Sequence, residues 1–377
     1  MKYLSTFACA LLFAPVGFAQ TLVAIPPTLT FTTTADSATV PPPQTIQITS
    51  PNGNVPFSVS IVPWAPFGGP PKDPVYLSAN PSSGTTPATV TVSLLPIVLS
   101  WAYGGYYNIV GITTSDGGGT PVRVNLNVNL PPPPVVTSIL NATSLQPGIS
   151  PGAIVSIFGE HLGPPSGAVG SASSPSFEDP THFYQTKFVG NTKVAFNGYL
   201  APLLYVNAGQ VNAVVPYEVA GQANVEVVLS HSLVAAPAVT VPILDTSPGI
   251  FTVTQNGSGQ GAILNQNRTL NSAQNPAAAG SIIQIFATGA GLWNPTVPTG
   301  LQLSPIPPFP VPAADVAVAI GGQPAQITYA GGAPGFVSGL LQVNAVIPAG
   351  LASGPQPVLL TIGQNSNSRQ QVTVAVQ

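Results

Sequence analysis

Acids, bases and aromatic rings are sparse in this chain, and their spacing limits the chemistry it can carry. The densest polar group is Glu178, Asp179, His182 and Tyr184, within a long irregular stretch from Gly163 to Lys187. Two carboxylates and an imidazole on one loop could hold a cation or a polar ligand. Calcium, however, takes about six to eight oxygens and only two acidic side chains are local, so a solvated turn is the simpler reading. Glu160-His161 sits where a core strand turns, and neighbours on a strand face opposite ways, which argues against a shared metal. His231 lies between two strand-like runs and reads as a hairpin residue. Asp116 with Gly117-Gly118-Gly119 reads as a hairpin tip rather than a phosphate cradle, because no helix follows. There is no His-Glu-x-x-His, Gly-x-Ser-x-Gly, P-loop or Asp-x-Asp calcium loop. General acid–base chemistry needs converging titratable groups. The expectation is a protein that is not an enzyme, with no catalytic residue, no metal site and no cofactor.

Aromatic residues are the better lead to a ligand. Trp101, Tyr103, Tyr106 and Tyr107 fall within seven residues, beside Gly104-Gly105. Trp and Tyr rings, apolar on the face and polar at the edge, stack naturally on sugar rings. Tyr106 shares strand parity with Val110 and Ile112, so it is expected to pack inward as the structural tyrosine of a sandwich. Trp101 and Tyr103 precede that strand and are the candidate ligand-binding residues. Trp64 and Trp293 stand in proline-rich loops and are expected to cap sandwich ends.

The elements that must position these residues are strands. Val122, Val124, Leu126, Val128 and Leu130 alternate with Arg123, Asn125, Asn127 and Asn129, a period of two that sends one set inward. The pattern recurs at Val90, Val92, Leu94, at Val225, Val227, Leu229 and at Val372, Val374, Val376. Asn52-Gly53, Asn197-Gly198 and Asn256-Gly257 are tight-turn candidates, since both residue types tolerate positive φ. With 45 prolines and 38 glycines, long helices are excluded. The chain reads as all-β.

It is also internally duplicated. Gln210-Val211-Asn212-Ala213-Val214-Val215-Pro216 returns as Gln342-Val343-Asn344-Ala345-Val346-Ile347-Pro348. Gly152–Phe158 matches Gly280–Phe286, Leu140-Asn141-Ala142 matches Leu270-Asn271-Ser272, and Val194–Gly198 matches Val318–Gly322. The offsets between matches differ, so core strands are shared while loops drift. The second copy carries extra residues around Ala333-Pro334-Gly335-Phe336.

Only 5% of the 377 residues are charged, against roughly 25% in ordinary domains. Nucleic acid is excluded as a partner, because phosphate binding needs clustered Lys and Arg. Residues 1–19 read as a secretory signal: Lys2, an apolar run from Leu4 to Val16, and Gly17-Phe18-Ala19 before the expected cut. That run is too short to span a bilayer. Removing it takes Lys2 and the sole cysteine, Cys9, leaving six basic side chains against ten acidic ones, a net of −4. Disulfides are then unavailable. The chain closes on a plain strand without a sorting motif, so retention outside the cell is expected to be by contact.

Pro151-Gly152 leading into Ala153–Phe158 and then Gly159-Glu160-His161-Leu162-Gly163, followed by a valine strand and the Gln-Val-x-x-x-Val/Ile-Pro strand, resembles IPT/TIG-type immunoglobulin-like domains. Pro202–Val206, Ser247–Thr252 and Ala287–Leu292 are similar to stretches of a C-terminal region of unknown function in secreted acidobacterial proteins. The segment before Pro131-Pro132-Pro133-Pro134 resembles BACON-like or other bacterial immunoglobulin-like domains, through Ser82-Ser83-Gly84 to Val92 and Gly104-Gly105-Tyr106. The resemblance implies about three tandem β-sandwiches: residues 20–130, a proline linker at 131–134, and repeats over 135–250 and 251–377. It brings no catalytic motif. The expected function is structural or adhesive, at the cell surface, outside the cell or in the periplasm, with polysaccharide or other surface proteins as partners. The alternative is recognition of a neutral polysaccharide through Trp101 and Tyr103. Whether the two repeats form one unit or separate beads is left open by the sequence.

Overall fold

A computed structural model describes residues 20–35, 37, 39–63, 74–100, 104–173 and 182–377, without the side chains of 99 and 100. Among them there is no α-helix, only strands and two short 3₁₀ turns, Pro96–Ser100 and Tyr217–Val219. The all-β reading holds. The chain folds as two compact units, Met1–Asn129 and Leu130–Gln377. The signal sequence lies outside the described residues. No helix among the described residues is long and apolar enough to cross a membrane.

The first unit is a two-sheet sandwich. One sheet runs Val23–Ile25, Gln44–Thr49, Ala88–Leu94, Leu77–Asn80; the other runs Thr28–Thr34, Gly119–Asn129, Gly104–Thr113, Pro56–Pro63, Ser83–Thr85. Thr28–Thr34 joins Gly119–Asn129 in parallel, and the remaining pairs of this unit are antiparallel. Val122, Val124, Leu126 and Val128 are buried as their alternation requires, but Leu130 lies past the strand end and is 43% exposed. Tyr106 packs against the core from a half-buried position. The fully buried tyrosine is instead Tyr76, whose hydroxyl donates to the Val124 carbonyl at 2.9 Å. Parity places a ring on a face; depth depends on position along the strand, and Tyr106 stands near the start of the central strand Gly104–Thr113 rather than over the middle of the core.

In the second unit each repeat is its own sandwich with its own core. The first places Ile154–Glu160 between Val135–Asn141 and Gln210–Val214, with Leu203–Val206 beyond; the second pairs Ile282–Thr288 with Leu341–Val346 and then Ile327–Gly332. The registers correspond, Ile157 opposite Val211 and Ile285 opposite Val343. Both copies carry a bulge just before a tyrosine, between Leu203 and Tyr205 and between Ile327 and Tyr329. The shared heptapeptide even keeps its surface bond: the Gln210 amide donates to Asn212 at 2.8 Å and the Gln342 amide to Asn344 at 2.9 Å. Asn197-Gly198, with φ of 46° and 84°, is the tight turn its sequence predicts, joining Thr192–Phe196 to Tyr199–Leu200.

Candidate functional site

The residues singled out for chemistry scatter. Trp101, Tyr103, Trp64, Glu178 and Asp179 lie outside the described residues. Glu160 ends a strand and His161 follows it in the left-handed region, φ 56°, both exposed. His231 ends Asn224–His231 just before the two-residue turn Ser232-Leu233, as a hairpin residue should, and is buried with Nδ1 2.9 Å from the Thr192 hydroxyl. Asp116 does cap a hairpin tip. Its carboxylate accepts from the Thr114 hydroxyl and from the backbone N–H of Gln20 at 2.8 Å, and the Thr114 bond foremost holds its pKa below the ordinary value. Tyr107 points outward with the Arg123 guanidinium over its ring at 4.4 Å. No three His, Cys, Asp or Glu residues among those described come together in a way that could hold a metal.

What the fold does bring together is the junction between the repeats. The stretch predicted to be irregular after Gly163 instead forms short strands: Ala168–Val169 on Leu203–Val206, and Ala172–Ser173 paired with Tyr184–Gln185. The latter hairpin continues into the second repeat. Gln185 N–H donates to the Gly300 carbonyl and Gln302 N–H to the Phe183 carbonyl, each at 2.8 Å. Leu303 N–H then donates to Phe336 and Ser338 N–H to Leu301, again at 2.8 Å. A ribbon of four short segments, two from each repeat, thus stitches the copies together, and the extra residues of the second copy form its far edge.

Beneath the ribbon lies a buried polar network. Tyr217 of the first repeat donates its hydroxyl to the Ser338 carbonyl at 2.7 Å, while Trp293 Nε1 donates to the Tyr217 hydroxyl at 2.6 Å and to Ser338 at 2.9 Å. Thr299 Oγ1 accepts from Tyr217 N–H at 2.9 Å and donates to the Glu218 carboxylate at 2.6 Å. Ile154 N–H donates to Thr288 Oγ1 at 2.8 Å, and that hydroxyl donates to the Gly339 carbonyl at 2.7 Å. Ile154, Val214 and Val337 close the seam as a small apolar cluster. Burial pushes the Tyr217 phenol up to about 12. Two glycines make room at the seam, Gly152 for the Tyr217 ring of its own repeat and Gly339 for the Gly152 carbonyl of the other. A Cβ on Gly152, at φ 71°, would lie 2.2 Å from the Tyr217 ring, and one on Gly339 would lie 2.7 Å from the Gly152 carbonyl oxygen. The copies are therefore one joined unit. Trp293 caps its sandwich from within the core, 3% exposed, at this seam.

Sequence reasoning passed over Tyr217, Thr288, Thr299 and Ser338. One signal was present: the heptapeptide is followed by Tyr217-Glu218 in the first copy but by Ala349-Gly350 in the second. Divergence directly after the best-matched strand marks a surface that one copy uses and the other does not.

Two cavities open beside the junction. An apolar one of about 730 Å³ is lined by His182, Phe183, Leu303, Phe309 and several prolines. A polar one of about 370 Å³ is lined by amides, hydroxyls and Arg369.

No family model matches the chain, and no curated protein does. Among solved structures it is similar to SGBP-B of the Bacteroides ovatus mixed-linkage glucan utilization locus, in complex with a mixed-linkage heptasaccharide (13% identity, 98% of this chain and 69% of that one, TM-score 0.28). It is also similar to the Escherichia coli adhesin FdeC (13% identity, 95% and 96% covered, TM-score 0.20). A third is protocadherin gamma B2, extracellular cadherin domains 1–5 (11% identity, 95% and 60% covered, TM-score 0.23). At these TM-scores the likenesses carry no argument about what the chain does.

Proposed function

We propose that this chain is an exported, non-enzymatic structural or adhesive protein at the cell exterior, in which two IPT/TIG-type repeats of the acidobacterial secreted kind act as one stiff block. The observation that supports this most is the junction itself. Ile154 to Thr288, Tyr217 to Ser338 and Trp293 to Tyr217 are bonded from one copy to the other in a largely buried setting, so bending the repeats apart would expose these groups and break bonds that solvent cannot restore without cost. Such a block suits bearing load or holding a spacing. Residues 1–19 then serve as the export signal, and contact with polysaccharide or surface proteins retains the protein.

The second reading, recognition of a neutral polysaccharide, draws on the outer face of the first unit, where Thr28 and Thr30 stand opposite Arg123 and Asn125 and Thr32 opposite Asn127, an array of hydroxyls and amides with one charge. The test is to incubate residues 20–377 with cell-envelope preparations and a panel of insoluble polysaccharides. The structural reading expects retention on envelope material with every polymer chemically unchanged. Release of soluble product that disappears on substituting His182 would sink it. Retention by one neutral polymer, competed by its soluble oligomer, would favour the second reading and put Trp101 and Tyr103 first for substitution.

A further inference from the structure

The polar cavity at the second side of the repeat junction has the makings of a binding site. Three segments wall it: residues 144–147 of the first repeat, 244–248 joining the repeats, and the hairpin at 364–370 of the second. Its back wall is already locked. Asn365 Nδ2 donates to the Thr246 carbonyl at 2.9 Å, Asn141 Nδ2 to the Ser247 carbonyl at 2.7 Å, and Gln370 Nε2 to the Thr143 carbonyl at 2.8 Å. Each of these bonds joins segments more than a hundred residues apart, so the wall exists only once both repeats are folded.

The rim is the opposite. The side chains of Gln146, Gln364, Ser366, Ser368 and Arg369 make no hydrogen bond or ion pair within the described residues. Gln146, Gln364, Ser368 and Arg369 are exposed. In a chain with six basic residues beyond its leader, a guanidinium without a counter-charge, set among free amides and hydroxyls, is a notable placement.

We infer that this cavity binds a sugar unit bearing a carboxylate, a uronic acid within an acidic glycan, with Arg369 pairing the carboxylate and Gln146, Gln364, Ser366 and Ser368 meeting the hydroxyls. A guanidinium presents a planar fork that matches a carboxylate with two parallel bonds. Amides and hydroxyls both donate and accept, as sugar hydroxyls do. A phosphate or nucleic acid is a poorer match, because no second cation lines the cavity. A peptide carboxyl terminus is a poorer match too, since amides and hydroxyls far outnumber the apolar lining of Pro147, Leu244 and Pro248. The volume, about 370 Å³, falls at the small end of ligand cavities, roughly 300–1,000 Å³. A fixed wall means that little ordering cost falls on binding.

The inference goes beyond the structural reading and does not depend on it. It is tested by calorimetric titration of residues 20–377 with oligomers of galacturonate, glucuronate and mannuronate, each beside its methyl ester. The expected result is that at least one acid form binds and its ester binds at least about tenfold more weakly. Arg369→Ala should cost that same acid about tenfold to a hundredfold, as loss of a charge-assisted bond does, Arg369→Lys less, and Gln364→Ala a smaller factor. Both residues are exposed, so an unchanged melting temperature will show that the variants fold. Failure of all three acids to bind overturns the inference, as does equal binding of acid and ester, or acid binding that Arg369→Ala leaves intact. None of these results alters the envelope-retention test.

Discussion

Gly152→Ala tests the junction with a control built into the chain. Gly152 and its counterpart Gly280 occupy the same place in the two repeats, each just before the first core strand, with φ of 71° and 77°. An alanine at either pays for a left-handed backbone, about 1–2 kcal/mol. Only at Gly152 does the new Cβ meet anything: Tyr217 Cε1 at 2.2 Å, whereas nothing lies within 4 Å of one on Gly280. Overpacking of that kind adds about 1–3 kcal/mol, so Gly152→Ala should cost about 2–5 kcal/mol in total. The excess over Gly280→Ala reports whether the Tyr217 ring packs on Gly152 of its own repeat, the position from which its hydroxyl reaches Ser338 of the second. Tyr217→Ala alone should cost about 3–5 kcal/mol by opening a void. In that background Gly152→Ala should fall to the cost of Gly280→Ala. The assay is equilibrium denaturation of residues 20–377, following the transition of the second unit and closing the double-mutant cycle. If Gly152→Ala costs no more than Gly280→Ala, or keeps its full cost when combined with Tyr217→Ala, the ring does not sit where the junction requires it and the argument for a joined block fails.

Two further outcomes follow from the same seam. Tyr217 has its folded pKa raised to about 12 from an ordinary 10, so the folded state holds its proton longer than the unfolded one. Its contribution to stability is therefore complete below pH 10 and is lost as pH climbs toward 12, about 2 kcal/mol allowing for a partly exposed ring. Denaturation midpoints taken across that window should fall for the parent and fall less for Tyr217→Phe; parallel curves would contradict the assignment. Thr288→Val keeps the shape but strips the partner from Ile154 N–H and the Gly339 carbonyl. Leaving both buried and unpaired should cost about 2–5 kcal/mol, read as a lower denaturant midpoint with an unchanged slope; a change below about half a kcal/mol, roughly the scatter of surface substitutions, would show that the Thr288 hydroxyl does not tie Ile154 of the first repeat to the second.

Much of the fold was legible because a half-buried strand writes its two faces into alternate residues. Val122 to Val128, Val225 to Leu229 and Val372 to Val376 are buried as their spacing dictates. The duplication was equally plain, because two copies of one core must repeat the residues that pack it. Asn197-Gly198 is legible for a similar reason: only residues at ease with positive φ fit a two-residue turn.

The junction was not legible, and the reason is physical. Local periodicity records which face of a strand is buried, not what lies against the loops at its ends. Tyr217 bonds to Ser338 across 121 positions, Ile154 to Thr288 across 134, and Gln370 to Thr143 across 227. Each of those residues belongs, by its own neighbourhood, to an unremarkable turn or strand end. Composition and residue pattern alone determined that this is an all-β chain with few charges and a repeated core. That its two copies join through a buried polar seam, and that free amides and Arg369 gather around one cavity, was decided by tertiary packing, which brings together segments whose sequences have no local reason to refer to each other.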